Sequence, residues 1–219
     1  MSDTSSVAVR LENVTKVFDT GFRHKAVFAV KNLSFEVNKG EIFGVTGPNG
    51  IGKTTTFRML VSLLQPTSGR ISILGLCPEE ARRRRCIGYL PDAGIGHLML
   101  TGEEVLTFYA GFSDMNASEI RESVSMWLER VGILDASHRR VETYSRGMRQ
   151  RLAIAASLMG SPPVLIWDEP HAGLDPDGRD LVFSILQEAR EKGQTVLLSS
   201  HIREEIERTC DRVYTIRNA

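Results

Sequence analysis

The sequence predicts an α/β fold: a mostly parallel sheet, opened by an antiparallel β subdomain and interrupted by an inserted α-helical subdomain. Three observations carry this. Short β-branched apolar runs alternate with stretches of helical spacing over most of the chain. The strand signal vanishes between Pro91 and Gly160, where helix-capping patterns replace it. The length, 219 residues, suits one sizeable domain with a subdomain inside it. The expected division is a core of residues 1–91 and 161–219 around a helical block of residues 92–160.

Residues 7–18 and 26–37 are rich in Val and Phe and read as an antiparallel pair joined by the loop 19–25. Residues 41–46 (EIFGVT) form a short apolar strand. Residues 53–64 have helical spacing and stop at the turn QPTSG, residues 65–69. Strands 70–74 and 87–90 flank a short charged segment. Within the helical block, Thr101 and Glu104 make a capping box that opens a helix to about Phe112, and Asn116 with Glu119 opens another, closed by Gly132. A third helix covers 145–159 and ends at Gly160. Strand 164–168, helix 177–192, strand 195–199, helix 202–209 and strand 212–217 complete the order.

Lys+Arg and Asp+Glu both number 27. A balanced total exerts no general pull on nucleic acid or anionic membrane, so any anion site must be local. The run Arg82 to Arg85 follows Glu79 and Glu80 and is expected to be a solvated, counter-charged face. Cys77, Cys86 and Cys210 fit no metal spacing and are expected to be reduced thiols of a cytoplasmic protein. No apolar run reaches the ~18–20 residues that span a bilayer, and no export signal precedes the first strand. Any membrane role then requires a separate membrane chain.

Residues 47–54, GPNGIGKT, match the pattern G-x-x-x-x-G-K-S/T between a strand and a helix, the context a P-loop requires. The glycines turn the backbone so that N–H groups face inward and, with the helix N-terminus, hold phosphate oxygens. The binding set is Gly47, Pro48, Asn49, Gly50, Ile51, Gly52, Lys53, Thr54 and Thr55. Lys53 is placed to reach the β- and γ-phosphates, and the Thr54 hydroxyl to meet Mg²⁺. In P-loop proteins an acid ending a second apolar strand holds the metal through water, a place that Asp168 fills after 164–167. Glu169 is then free to orient and deprotonate a water aimed at the γ-phosphate.

Guanine-binding N-K-x-D is absent. YSRGMRQR, residues 144–151, stands before strand 164–168, and DEPHAGLDP, residues 168–176, precedes Ser200 and His201. In this order the motifs resemble the ATP-binding cassette (ABC) family, whose signature is usually L-S-G-G-x-x-Q-R, over about residues 7–219. The resemblance implies the ATPase subunit of a transporter, exporter-like, with ATP and Mg²⁺ as cofactors. It implies head-to-tail pairing with a second copy or a related cassette, and separate transmembrane permease subunits as partners. Each ATP would lie between the P-loop of one chain and Ser145 and Gly147 of the other, with Asp175 reaching across. Ser145 opening a helix fits an anion site. His201 resembles the switch histidine, and Phe18 the adenine platform, with Phe22 and Phe28 as alternatives. Residues 92–112 are the expected contact with the membrane partner.

Three positions depart from the family pattern. Asp92 stands where a glutamine often reaches Mg²⁺, and is expected to keep that sensor role. Arg146 replaces a common glycine, and His171 a common threonine. Two other readings compete: a soluble cassette in DNA repair or translation, which usually carries a coiled-coil insertion or tandem cassettes, and an ATP-dependent dimerisation switch with little turnover.

Overall fold

The computed structural model of the chain describes residues 6–19 and 26–217; Phe22 lies outside them. In chain order the elements are β1 (Val7–Asp19), β2 (Ala26–Asn38), β3 (Ile42–Thr46), α1 (Lys53–Leu60), β4 (Ser68–Ile73), α2 (Pro78–Arg83), β5 (Ile87–Leu90), α3 (Gly102–Ala110), α4 (Ala117–Arg130), α5 (Arg146–Leu158), β6 (Val164–Asp168), α6 (Pro176–Glu191), β7 (Thr195–Ser199), α7 (Arg203–Thr209) and β8 (Arg212–Thr215). Five strands form a parallel sheet in the order β5-β6-β7-β3-β8, and three form an antiparallel sheet in the order β2-β1-β4.

β6 shows how the sequence builds the layers. Successive side chains of a strand face opposite sides, and its apolar run is buried on both. Leu165 and Trp167 enter a core shared with α3, α4, α5 and α6. Val164 and Ile166 enter a second core with Phe43, Phe57 and the inner face of the antiparallel sheet. Burial on both sides is why the strand reads as a continuous apolar run. It ends at Asp168, at the sheet edge where the P-loop also lies.

Beyond shifts of about two residues at element ends and the short helix α2 in the charged segment, two features differ from the sequence expectation. α1 stops at Leu60 instead of Leu64 because Ser62 takes a left-handed φ of 56°. The N–H groups of Leu63 and Leu64 then both turn back to the Arg58 carbonyl, at 2.8 and 3.1 Å. β4 joins the free edge of β1, so the antiparallel layer has three strands instead of two. Both predicted capping boxes form, at Thr101/Glu104 and at Asn116/Glu119. In the arginine run, Arg83 and Arg84 pair with Glu79 and Glu80 one helical turn back, and Arg85 pairs with Asp114. No helix among the described residues is long and apolar enough to cross a membrane.

Candidate nucleotide-binding site

The loop from Gly47 to Gly52 leaves β3 and delivers Lys53 as the first residue of α1. Gly52 has φ 107°, and a Cβ there would lie 2.3 Å from the Ala29 carbonyl oxygen. Only glycine lets the loop press against β2 in this way. The Ile51 N–H donates to the Pro48 carbonyl at 3.2 Å, closing the turn. Lys53 Nζ curls over it to donate to the Gly47 carbonyl at 2.8 Å. Asn49, Gly50, Gly52, Lys53, Thr54 and Thr55 line a cavity of about 400 Å³, closed on its other sides by Asp92, Arg146, Glu169, Ala172 and His201. A cleft of similar volume, about 410 Å³, lies beneath β4 beside Arg10, Glu12 and Arg70 and contains none of the motif residues.

Asp168, next in the chain to the cavity-lining Glu169, is fully buried, at 0% exposure. It pairs in register with Ser199 at the end of β7. Ser199 Oγ donates to Asp168 Oδ1 at 2.6 Å and accepts from the Glu169 N–H at 3.0 Å. Burial pushes the Asp168 carboxyl above its usual range, opposed by hydrogen bonds from Ser199 and Thr54 and reinforced by the charges of Asp92 and Glu169. Its other oxygen, Oδ2, is buried with no hydrogen-bond partner. A buried carboxylate oxygen without a partner is costly, and hard oxygen donors suit a divalent cation. The free oxygen, the Thr54 hydroxyl and Asp92 therefore fit Mg²⁺. No group of three or more His, Cys, Asp or Glu ligands occurs among the described residues, so such a cation would draw the rest of its shell from phosphate and water.

Glu169 is held on every side. Its backbone is left-handed, with φ 53°, a conformation that persists in a non-glycine residue only when the surroundings enforce it. Ser199 takes its N–H, and the Gln150 side-chain amide donates to its carbonyl at 3.3 Å and to that of Pro170 at 3.0 Å. Oε1 lies 3.8 Å from Lys53 Nζ and Oε2 2.8 Å from His201 Nδ1. With Nδ1 turned to the carboxylate, the His201 Nε2 is left for another partner.

The remaining sequence-predicted residues stand outside the cavity. Ser145 is exposed and its Oγ accepts from the Met148 N–H at 3.2 Å, capping α5. Asp175 caps α6 by accepting from the Gly178 N–H at 2.9 Å and pairs with Arg151 at 3.1 Å. The Gly178 hydrogen bond, then Arg151, hold its carboxyl below the usual range. Gly147 lies against Gly173, where a Cβ would come 3.3 Å from the Gly173 carbonyl. Phe18 is 39% exposed, with Lys16 Nζ 5.2 Å from its ring centroid. A bulge at Ala29 pairs Lys16 with Val30 but Val17 with Phe28. Directly paired residues share a face, so Phe18, Lys16 and Val30 lie together while Phe28 turns to the other side. Val30 is the residue whose side chain meets Gly52, which puts Phe18, and not Phe28, on the P-loop face.

Two contributors carry no role in the sequence reading, and a third, Arg146, stands there only as a departure from the family pattern. Ser199 had a signal, a hydroxyl at the end of the strand paired with the one that carries Asp168. Gln150 lay inside the quoted signature without a role. Arg146 packs along Gly173 and reaches the cavity of its own chain.

Comparison with known proteins gives one consistent picture. The family model described as ABC transporter matches residues 30–172. An uncharacterized ABC transporter ATP-binding protein, YxlF of Bacillus subtilis, is 43% identical over 90% of this chain and 65% of its own length. The ABC transporter ATP-binding protein NatA of the same organism is 36% identical over 90% of this chain and 81% of its length. The Nod factor export ATP-binding protein I of Rhizobium etli is 37% identical over 94% of this chain and 64% of its length. This chain spans 60–65% of the length of the first three curated relatives it matches. Among solved structures, the ATP-binding cassette MJ0796, described as a dimer in a post-hydrolysis state bound to ADP and Pi, superimposes with a TM-score of 0.87. It is 26% identical, covering 95% of this chain and 94% of its own.

Proposed function

This chain belongs to the ABC transporter family, and we propose that it is the ATP-hydrolysing subunit of a transporter whose membrane-spanning part is a separate chain. The observation that carries the chemistry is the clamp on Glu169, whose carboxylate is fixed between Lys53 and His201 at the mouth of the P-loop cavity. The loop N–H groups and Lys53 bind the phosphates, and Phe18 stacks on the adenine. Asp168, Thr54 and Asp92 would hold Mg²⁺, which would supply charge neutralisation for the transferred phosphoryl group. Glu169 accepts a proton from the attacking water, and His201 keeps its carboxylate aimed at that water. Equilibrium titration of Lys53→Ala with ATP should show affinity lower by about 10–100-fold, the loss of a charge-assisted contact. Unchanged affinity would leave Lys53 no place on the phosphates. Asp92→Ala should raise the Mg²⁺ concentration for half-maximal turnover by about tenfold; an unaltered Mg²⁺ dependence takes Asp92 out of the shell.

Pairing with a second cassette follows from where the outer residues lie. Ser145, Gly147 and Asp175 flank the cavity without lining it, and the α5 N-terminus presents donors outward, a ready site for the γ-phosphate of a partner's ATP. The similar cassette MJ0796 is described as dimeric. The block of residues 92–160 carries the membrane contact. Phe108 on α3 and Phe112 just after it are exposed, as are Leu98 and Met99 in the preceding loop, and a groove lined by Leu100, Thr107, Phe108 and Phe112 runs there. Apolar patches of this kind mark protein contacts. Relatives named for Nod factor export and linearmycin resistance favour an export direction. Steady-state hydrolysis by the purified chain, with and without membrane partners, tests the proposal; absence of turnover in both would leave a binding switch.

A further inference from the structure

One pair of ionisable side chains, a buried His171 and a half-buried Glu205, has no part in the chemistry above. His171 is 8% exposed, and its Nδ1 lies 3.3 Å from Glu205 Oε2. The contact is close but not aligned as a hydrogen bond, since Nδ1 is buried without such a partner, as is Glu205 Oε1. Desolvation holds the imidazole below its ordinary range; Arg179 acts in the same sense, and Glu205 and Glu169 oppose both. The two side chains therefore meet as a close polar contact and not as a fixed ion pair, whose burial would be expensive.

Its place in the chain gives it meaning. Glu205 Oε2 accepts from Ser200 Oγ at 2.9 Å, and Ser200 Oγ accepts from the Ile202 N–H at 3.0 Å. Between Ser200 and Ile202 stands His201, whose ring holds Glu169. Glu169 is followed by Pro170 and His171. Two side-chain contacts and one hydrogen bond, joined by the chain itself from Glu169 to His171 and from Ser200 to His201, close a circuit: Glu169, His171, Glu205, Ser200, His201 and back to Glu169. The His201 side chain is 55% exposed. Glu169 sits in a backbone conformation that needs outside support. A bridge behind both residues supplies that support.

We infer that His171 and Glu205 are positioning residues that lock the acid-pair loop to the switch-histidine loop, so that His201 and Glu169 stay in line. This rests on the assignment of Glu169 and His201 to hydrolysis. His171→Ala should lower kcat by about 10–100-fold, the scale of a misplaced catalytic group, with ATP affinity unchanged. His171→Asn, whose amide can occupy the same place against Glu205, should recover most of the loss. His171→Ala/Glu205→Ala should be no slower than the worse single variant, because one bridge is broken either way. Histidine ¹⁵N spectra read the geometry without turnover. His201 should show a fixed Nδ1–H in the parent chain and in His171→Asn, and averaged tautomers in His171→Ala. An unchanged kcat in His171→Ala, additive losses, no recovery in Asn, or an unaltered His201 spectrum would each overturn the inference. Glu169→Gln in the same assay separates the two levels. If it is inactive and His171→Ala is not, only the positioning role fails. If Glu169→Gln turns over normally, the assignment of Glu169 fails, and the His201 spectrum still decides whether the bridge positions the loop.

Discussion

Glu169→Gln should lower ATP hydrolysis by about 10²–10⁴-fold, the usual contribution of a positioned general base, while nucleotide binding survives. The amide has the same shape, and its oxygen can still accept from His201 Nδ1, where the carboxylate now sits at 2.8 Å. What it cannot do is take a proton. It also removes a negative charge from beside Asp168 and from the mouth of the phosphate cavity. The ATP-bound pair of chains should therefore accumulate. Phosphate release measured beside gel filtration with ATP checks both halves of the expectation. Turnover near that of the parent chain would strip Glu169 of its role as base.

Asp168→Asn should separate stability from activity. The buried carboxyl is pushed up by desolvation, by Asp92 and by Glu169, against the Ser199 and Thr54 hydrogen bonds, and Oδ2 has no partner. A folded-state pKa above the unfolded one means that the folded chain binds this proton more tightly. Its penalty on stability is present when the group is ionised and is relieved as pH falls through the folded value. The neutral amide escapes the penalty. Nucleotide-free Asp168→Asn should melt a few degrees higher than the parent, about 2–4 °C per kcal/mol for a chain of this size, with the gap narrowing towards acid pH. Its Mg²⁺ requirement for turnover should rise by about 10–100-fold. Calorimetry across pH checks the first part, and a Mg²⁺ titration of hydrolysis the second. A lower melting temperature would show that the charge is not the dominant strain at this position.

The legible parts of the fold were those written locally. Capping boxes at Thr101 and Asn116 name their helix starts because donor and acceptor are three residues apart. The P-loop is legible because glycine at fixed offsets answers a backbone demand, as at Gly52. Less legible were features made by partners far apart in the chain. The pairing of β4 with β1 joins Ile73 to Val9, and no local pattern chooses between the two sheets. The Ser199 hydroxyl beneath Asp168 depends on the register of β6 and β7. His171 carried no meaning in the sequence because its partner, Glu205, lies beyond a strand, a helix and the switch loop.

The hydrogen bond from the Trp167 indole N–H to Ser157 Oγ, at 3.0 Å, joins the strand that ends in Asp168 to the helix that begins at the signature. The chain has two tryptophans; replacing Trp127 by phenylalanine leaves this one alone. Its emission is sensitive to whether the indole donor is engaged and dry. The molecule thus contains its own optical gauge, seated between the strand that carries Asp168 and the α5 helix. Any rocking of that helix against the sheet when ligand arrives would register as a colour change, with no dye attached.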